Sequence, residues 1–325
     1  MLKKTAILCA ALITLSLTAC TTIENELPDV TETSVTEAEP TPYPVTAGSL
    51  EFEEAPTSAV SLSPALTEIV CALGYGDKLA GVSEYCDYPE SVEEKPTAGS
   101  AANPDIDEII TLKPELLLSQ SPIAKKDVVR LENSGIRVLI LSAPNSVDEL
   151  RECYRSIAAV FGGELTADEA ADEAMKPLYD ALSDAENSAE SFIFLLTPNL
   201  NAASSDTFLG DVFGHMAENK SDTVNQTAED ILAADPQVLI LASPMTADDL
   251  PDELQSLGAV QNGRVLRLKT SMLERPTARI AEYIGSVSDA LRSTAGGETS
   301  AETEEAADAY EAEDDETSEE ETGNE

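Results

Sequence analysis

Along residues 58–294 short apolar runs alternate with stretches of helical period, and the alternation happens twice. Ala59 to Ser63, Leu79 to Ser83, Glu115 to Ser119 and Arg137 to Ser142 read as strands, each bounded by Pro, Gly or Ser. Helical spacing fills the intervals at Pro64 to Leu73, which Gly74 terminates, and at Asp105 to Leu112 and Lys126 to Asn133. A second round opens with the strand Ser191 to Leu196. It continues through helices near Phe208 to Glu218 and Ala228 to Leu232, and returns as the strands Gln237 to Leu241 and Arg264 to Leu268. A repeated βαβ rhythm predicts an α/β protein of two lobes, each with a central, mainly parallel sheet covered by helices. Between the rounds, Ser146 to Asn187 is helical by composition and broken around Phe161 to Leu165. Its second part, Thr166 to Asn187, would span about 33 Å as one long bridging helix.

Both ends of the chain depart from this pattern. Lys3 and Lys4 precede an apolar run, Ala6 to Leu17, that falls short of the roughly 20 residues needed to cross a bilayer. This is the form of an export leader. It closes on Leu17-Thr18-Ala19-Cys20, which resembles the lipobox of bacterial lipoproteins, so Cys20 is the expected lipidation site. An ordinary signal peptide with an incidental Cys20 is the alternative. Lipidation would hold the protein to the extracytoplasmic face of a membrane, periplasmic or cell-surface. Glu24 to Pro56, carrying Pro28, Pro40, Pro42, Pro44 and Pro56, shows no sustained apolar period and reads as an extended tether.

Charge sharpens the division. The 325 residues carry 62 acidic and 19 basic side chains and one histidine, a formal charge of −43. Such a field repels phosphate backbones and excludes a nucleic-acid partner. Nine acids and no bases fall in residues 21–57, and fourteen acids and no bases in residues 295–325. The expected organisation is therefore a leader over 1–20, a disordered acidic, proline-rich tether over 21–57 and a lobe over 58–145. A helical connector over 146–187, a second lobe over 188–294 and a disordered acidic tail over 295–325 follow.

The inventory of reactive groups points away from catalysis. No G-x-S-x-G elbow, dinucleotide-binding glycine pattern or phosphate loop occurs, so an enzyme is not expected. The sole histidine, His215, lacks the companions a metal-capturing site uses, and no cofactor or resident metal is expected. Cys71, Cys86 and Cys153 remain beyond the leader; a Cys71–Cys86 disulfide and a buried Cys71 thiol both fit the pattern. A surface adhesin whose acidic tail is the working part stays open as a different class of function.

The two rounds share a repeat. Asp107-Glu108-Ile109-Ile110-Thr111-Leu112-Lys113-Pro114-Glu115-Leu116-Leu117-Leu118 matches Glu229-Asp230-Ile231-Leu232-Ala233-Ala234-Asp235-Pro236-Gln237-Val238-Leu239-Ile240. Each places a carboxylate seven residues before a proline that opens a strand. Apolar residues and a breaker are what any helix–Pro–strand unit needs, and acids favour helix starts anyway.

The first copy of this repeat, together with Ala59 to Ile69 and Gly81-Val82-Ser83-Glu84-Tyr85-Cys86-Asp87-Tyr88-Pro89, resembles the periplasmic binding proteins for vitamin B12, siderophores and haem that feed ABC importers. The resemblance covers nearly all of Val60 to Arg292. It implies a monomer whose two lobes enclose a cleft for a corrinoid or related metal chelate, with a ferric siderophore or haem as the alternative. It also implies one acid per lobe docking onto arginine pockets of the permease subunits, which work with their ATPase. Carried over by motif, those acids are Asp107 and Glu229. The family usually has Glu at the first position, so the neighbouring Glu108 is a second candidate.

The cleft is expected at the carboxyl ends of the strands. That nominates Ser63 and Pro64, Tyr85 and Tyr88, Ser119 and Gln120, Asn199 to Asn201, and Arg275 as ligand contacts. Tyr85 matches a position that in the B12 binders stacks along the corrin rim. Arg275 would meet ligand carboxylates, or else form an ion pair with Glu274 or Glu282.

Overall fold

Two parallel sheets of identical strand order organise the molecule. The computed structural model describes residues 41–270, 273 and 275–296, all within one compact unit. Cys20, the first part of the tether, Ser271, Met272, Glu274 and the acidic tail beyond Gly296 lie outside the described residues. The chain opens with β1 (Val45–Ala47) and β2 (Leu50–Phe52) and enters the first lobe through β3 (Ala59–Ser61), α1 (Pro64–Ala72) and β4 (Leu79–Val82). That lobe is completed by α2 (Ile106–Leu112), β5 (Leu116–Ser119), α3 (Lys125–Asn133) and β6 (Arg137–Ile140). Two long helices follow, α4 (Val147–Gly162) and α5 (Glu164–Asp184). The second lobe then runs through β7 (Ser191–Leu195), α6 (Phe208–Gly214), β8 (Glu218–Asn219), α7 (Ala228–Ala234) and β9 (Val238–Ala242). It ends with α8 (Gly258–Gln261), β10 (Val265–Leu268) and α9 (Ala281–Gly296).

The sheets are ordered β4-β3-β5-β6 and β10-β9-β7-β8, with every pairing parallel. Read by sequence within each lobe, both orders are second-first-third-fourth. The central strands β3, β5, β7 and β9 are buried on both faces, and alternate residues feed different cores. Leu116 and Leu118 of β5, and Phe192 and Phe194 of β7, join one core that runs through both lobes and takes in α4, α5 and α9. Leu117 and Val60 point to the outer core of the first lobe. Ile193, Leu195, Leu239 and Leu241 supply the outer core of the second.

Helices α4 and α5 form an antiparallel pair. Arg151 of α4 holds Asp168 and Asp172 of α5 at 3.0 and 2.7 Å, and Arg155 pairs with Glu164. Gly163 turns the chain between them at φ +89°, and Pro42 approaches so closely that a Cβ there would sit 2.5 Å from its Cβ. The bridging element is thus α5, 21 residues and about 31 Å long, backed along its length by α4.

The tether ends earlier than expected from the sequence. Residues 41–57 include the β1–β2 hairpin, closed by Gly48 (φ +54°) and Ser49, with Val45, Ala47 and Phe52 buried in the shared core. Arg137 lies over the Phe52 ring at 4.3 Å, and Glu164 N–H donates to the Pro42 carbonyl at 2.9 Å. Three-residue strands carry too little periodicity to be seen locally, and they are stable here because their apolar positions reach a core built by distant residues.

A buried polar contact ties the lobes. Glu68 of α1, its side chain 4 % exposed, accepts from Arg279 at 3.0 and 3.1 Å and from the Thr277 hydroxyl at 2.9 Å. Both partners lie just ahead of α9. Removing one member of a buried pair leaves the other charge without compensation. Glu68→Ala is expected to lower the unfolding free energy by about 3–5 kcal/mol. Phe52→Ala should cost a similar 3–5 kcal/mol through the cavity it opens. Urea midpoints measure both; an unchanged midpoint for Phe52→Ala would mean that the hairpin is a mere tether.

Candidate functional site

The shared strand order places a topological switch point in each lobe, between its first and third strands, where outgoing loops diverge and a crevice opens at the carboxyl ends. In the first lobe this point lies between β3 and β5, and the two strands end alike. Ser61 Oγ donates to the Ser63 carbonyl at 3.0 Å, and Ser119 Oγ donates to the Ser121 carbonyl at 2.7 Å, so each hydroxyl folds back on its own turn. Ser119 is fully buried and spent in that turn, which removes it from direct ligand contact. Ser63 caps α1 by accepting from Leu66 N–H at 3.3 Å, with Pro64 opening the first helical turn, and donates to Gln120 Oε1. The Gln120 Nε2 amide is buried with no hydrogen-bond partner. An unpaired buried donor costs about 1–3 kcal/mol, and a ligand acceptor would relieve that cost.

A rim cluster flanks this point on the side of the edge strands. Arg275, between β10 and α9, forms an ion pair with Asp87, its Nη2 reaching Oδ2 at 2.9 Å, and its Nη1 approaches Glu68 at 3.6 Å. The guanidinium bond holds the Asp87 carboxyl below its ordinary pKa. Asp87 follows β4 and Arg275 follows β10, so segments beyond the carboxyl ends of both sheets meet in this ion pair. The described ion-pair partners of Arg275 are acids of the other lobe, while Glu274, one of the partners expected from the sequence, lies outside the described residues. Tyr88 stacks on Arg279 at 4.2 Å, whereas Tyr85 is 62 % exposed and offers its ring to solvent. A depression of about 1170 Å³ opens beside the loops after β4 and β5, bordered by Glu84, Gly99, Pro104, Ser121 and Ile123.

Other nominated residues stay apart. Asn201 is committed to its own loop, accepting from Thr197 Oγ1 at 2.8 Å and donating to Asn225 Oδ1 at 2.9 Å, while Asn199 is exposed. His215 follows α6, with Nε2 3.9 Å from Asp211. Among the described residues no group of three or more His, Cys, Asp or Glu side chains is arranged to hold a metal ion. Cys71, Cys86 and Cys153 are free thiols; the Cys86 thiol lies 3.3 Å from Thr67 Oγ1, and burial raises all three pKa values.

The repeated acids fall in register. Asp105 caps α2 and Thr227 caps α7, which puts Asp107 and Glu229 at the second position of each helix and Glu108 and Asp230 at the third. Asp230 closes a capping box with Thr227, and the N–H of Glu108 is bound by Asp105. Asp107 and Glu229 are exposed, and Asp107 is paired with Arg130 of α3 at 2.5 Å. Both helices end on a left-handed residue ahead of the proline, Lys113 at φ 52° and Asp235 at φ 40°.

Sequence reasoning gave no role to Glu68, Asp87, Thr277 or Arg279. A signal existed for Glu68: every residue from Ala65 to Val70 is buried, and an acid inside so apolar a turn demands a cation. Its partners, more than two hundred positions away, carry no local mark.

Residues 60–272 match the family model described as periplasmic binding protein. An uncharacterised ABC transporter substrate-binding lipoprotein of Bacillus subtilis is 26% identical over 260 residues, 74% of this chain and 81% of that protein. A vitamin B12-binding protein of Vibrio cholerae is 27% identical over 244 residues, 72% of this chain and 88% of that one. Among solved structures, a possible iron-binding periplasmic solute-binding protein from Staphylococcus epidermidis superposes with TM-score 0.63 at 24% identity, covering 73% of this chain and 99% of that one. The periplasmic vitamin B12-binding protein of Vibrio cholerae gives TM-score 0.56 at 24% identity, over 74% and 98%. With two lobes of this topology meeting at one crevice and two thirds of its length under the family model, the chain belongs to the periplasmic binding protein family.

Proposed function

We propose that this chain is the lipid-anchored substrate-binding protein of an ABC importer, and that it captures a corrinoid or related metal chelate and hands it to the permease. The observation that carries the reading is the equivalence of Asp107 and Glu229: two exposed carboxylates at the same helical position in two lobes of the same strand order. Such a pair suits a partner with two like subunits, where exposed charges steer docking and fix register more than they add affinity. The ligand class is supported by the relatives named for vitamin B12, by the unpartnered Gln120 amide beyond β5 and by the exposed Tyr85 ring beyond β4. The role is non-catalytic. No described helix is long and apolar enough to cross a membrane, and attachment is assigned to a lipid on Cys20, whose tether would keep the binder at high local concentration beside its importer.

Three measurements test this. In cells carrying the cognate importer, the double change Asp107→Ala and Glu229→Ala should abolish cobalamin uptake, while calorimetric affinity stays within about threefold, under 1 kcal/mol. Loss of binding in that variant would contradict the docking role. Gln120→Ala should weaken ligand binding by about ten- to a hundredfold, the worth of one buried hydrogen bond to a preformed donor. Cys20→Ser should move the protein from the membrane to the soluble fraction on cell fractionation; retention on the membrane would refute the lipid anchor.

A further inference from the structure

The crevice carries arginines, yet their charge is already taken. Arg275 is shared between Asp87 and Glu68, and Arg279 is held by Glu68 under the Tyr88 ring. Two guanidinium groups face two carboxylates, so the cluster sums to zero where the lobes meet. Lys269, just past the end of β10, is likewise not free. In the adjoining depression Glu84, Asp105, Asp107 and Asp127 outnumber Lys126 and Arg130, and Arg130 is bound to Asp107. Among the described residues of the rim cluster a ligand bearing carboxylates would meet guanidinium groups already paired with acids, a wall beside it in which acids outnumber bases, and a chain with a formal charge of −43. Breaking the Arg275–Asp87 pair to free a cation would leave Asp87 and Glu68 facing the same anionic guest.

We infer that the crevice selects neutral or cationic metal macrocycles and rejects anionic ones, because Glu68 and Asp87 neutralise its arginines in place. The inference rests on the binding role proposed above and narrows its substrate class. Asp87 and Arg275 become specificity-determining residues: the first cancels a charge that would otherwise welcome carboxylates, and the second keeps the acids from repelling anionic guests more strongly still. Asp87 is the more accessible member, its side chain 62 % exposed, so it can be changed without opening the buried Glu68–Arg279 pair.

Two pairs of probes with equal shape and unequal charge test this on the purified full-length protein in detergent. One pair is cyanocobalamin and its monocarboxylate, in which one side-chain amide is hydrolysed; the other is haemin dimethyl ester and haemin. In the unaltered protein the member of a bound pair without free carboxylates should bind more tightly, by about tenfold for the single carboxylate of the cobalamin pair and by more for the two propionates of haemin, the scale of charges acting near a surface. Asp87→Asn takes the cluster to net positive and should shrink that preference at least threefold. Arg275→Gln takes it to net negative and should widen the preference by a similar factor. Molar salt should compress the differences. Equal affinities within a pair, or a ratio unmoved by both variants, would overturn the charge selection and leave the importer role standing. Binding of neither scaffold would overturn the ligand reading and this inference together.

Discussion

The structure depends on a core that does not stop at the boundary between lobes. Phe192 and Phe194 of the second sheet, Leu116 and Leu118 of the first, and the inward faces of α4, α5 and α9 belong to one buried cluster. Apolar surface shared in this way cannot be parted without exposing it, so each lobe is stabilised by elements that also stabilise the other. Arg151 and Arg155 brace α4 along α5, and Glu68 adds a buried polar tie whose partners lie across the lobe boundary. A hinge here would have to bend a helix pair and slide a close-packed core. The molecule is built for small adjustments of the rim, unlike binders joined by two or three extended crossovers.

That rigidity shapes the site. Ser63 and Gln120 follow the ends of adjacent central strands; the Ser63 hydroxyl accepts from Leu66 N–H at the start of α1 and donates to the Gln120 Oε1, which orients the amide. Side chains held in this way would lose little ordering entropy on meeting a ligand. What remains adjustable is the outer ring: the loop from Ser83 to Pro89, with the exposed Tyr85, meets the segment around Arg275 through the Asp87 ion pair. Because Asp87 and Arg275 are partly solvated, this bond can be exchanged or reformed far more readily than the buried Glu68–Arg279 pair.

Electrostatics divides the protein into zones with different tasks. The knobs Asp107 and Glu229 are displayed by short helices whose caps, Asp105 and Thr227, leave the second position free to face solvent. The two are unequal, since Asp107 already has Arg130 beside it. The crevice rim is balanced instead of charged.

Much of this was written in the sequence. Local patterns fixed the α2 and α7 repeats, the long helix and every strand of the two sheets except β8, which falls at the end of the stretch Phe208 to Glu218 read as helical, because burial on both faces and helical periodicity are read over a few residues. The acids at Asp107 and Glu229 were legible for the same reason: a cap, a proline and seven positions define their helix register. What local pattern could not define was pairing over distance. The Val45–Phe52 hairpin looked like tether because its stability comes from a core assembled later in the chain. Ser119 looked available until its turn consumed the hydroxyl. Glu68, Asp87, Arg275 and Arg279 form one neutral cluster only because the second lobe folds back beside the first. Charges separated by nearly two hundred residues cancel through space, and sequence order carries no record of that distance.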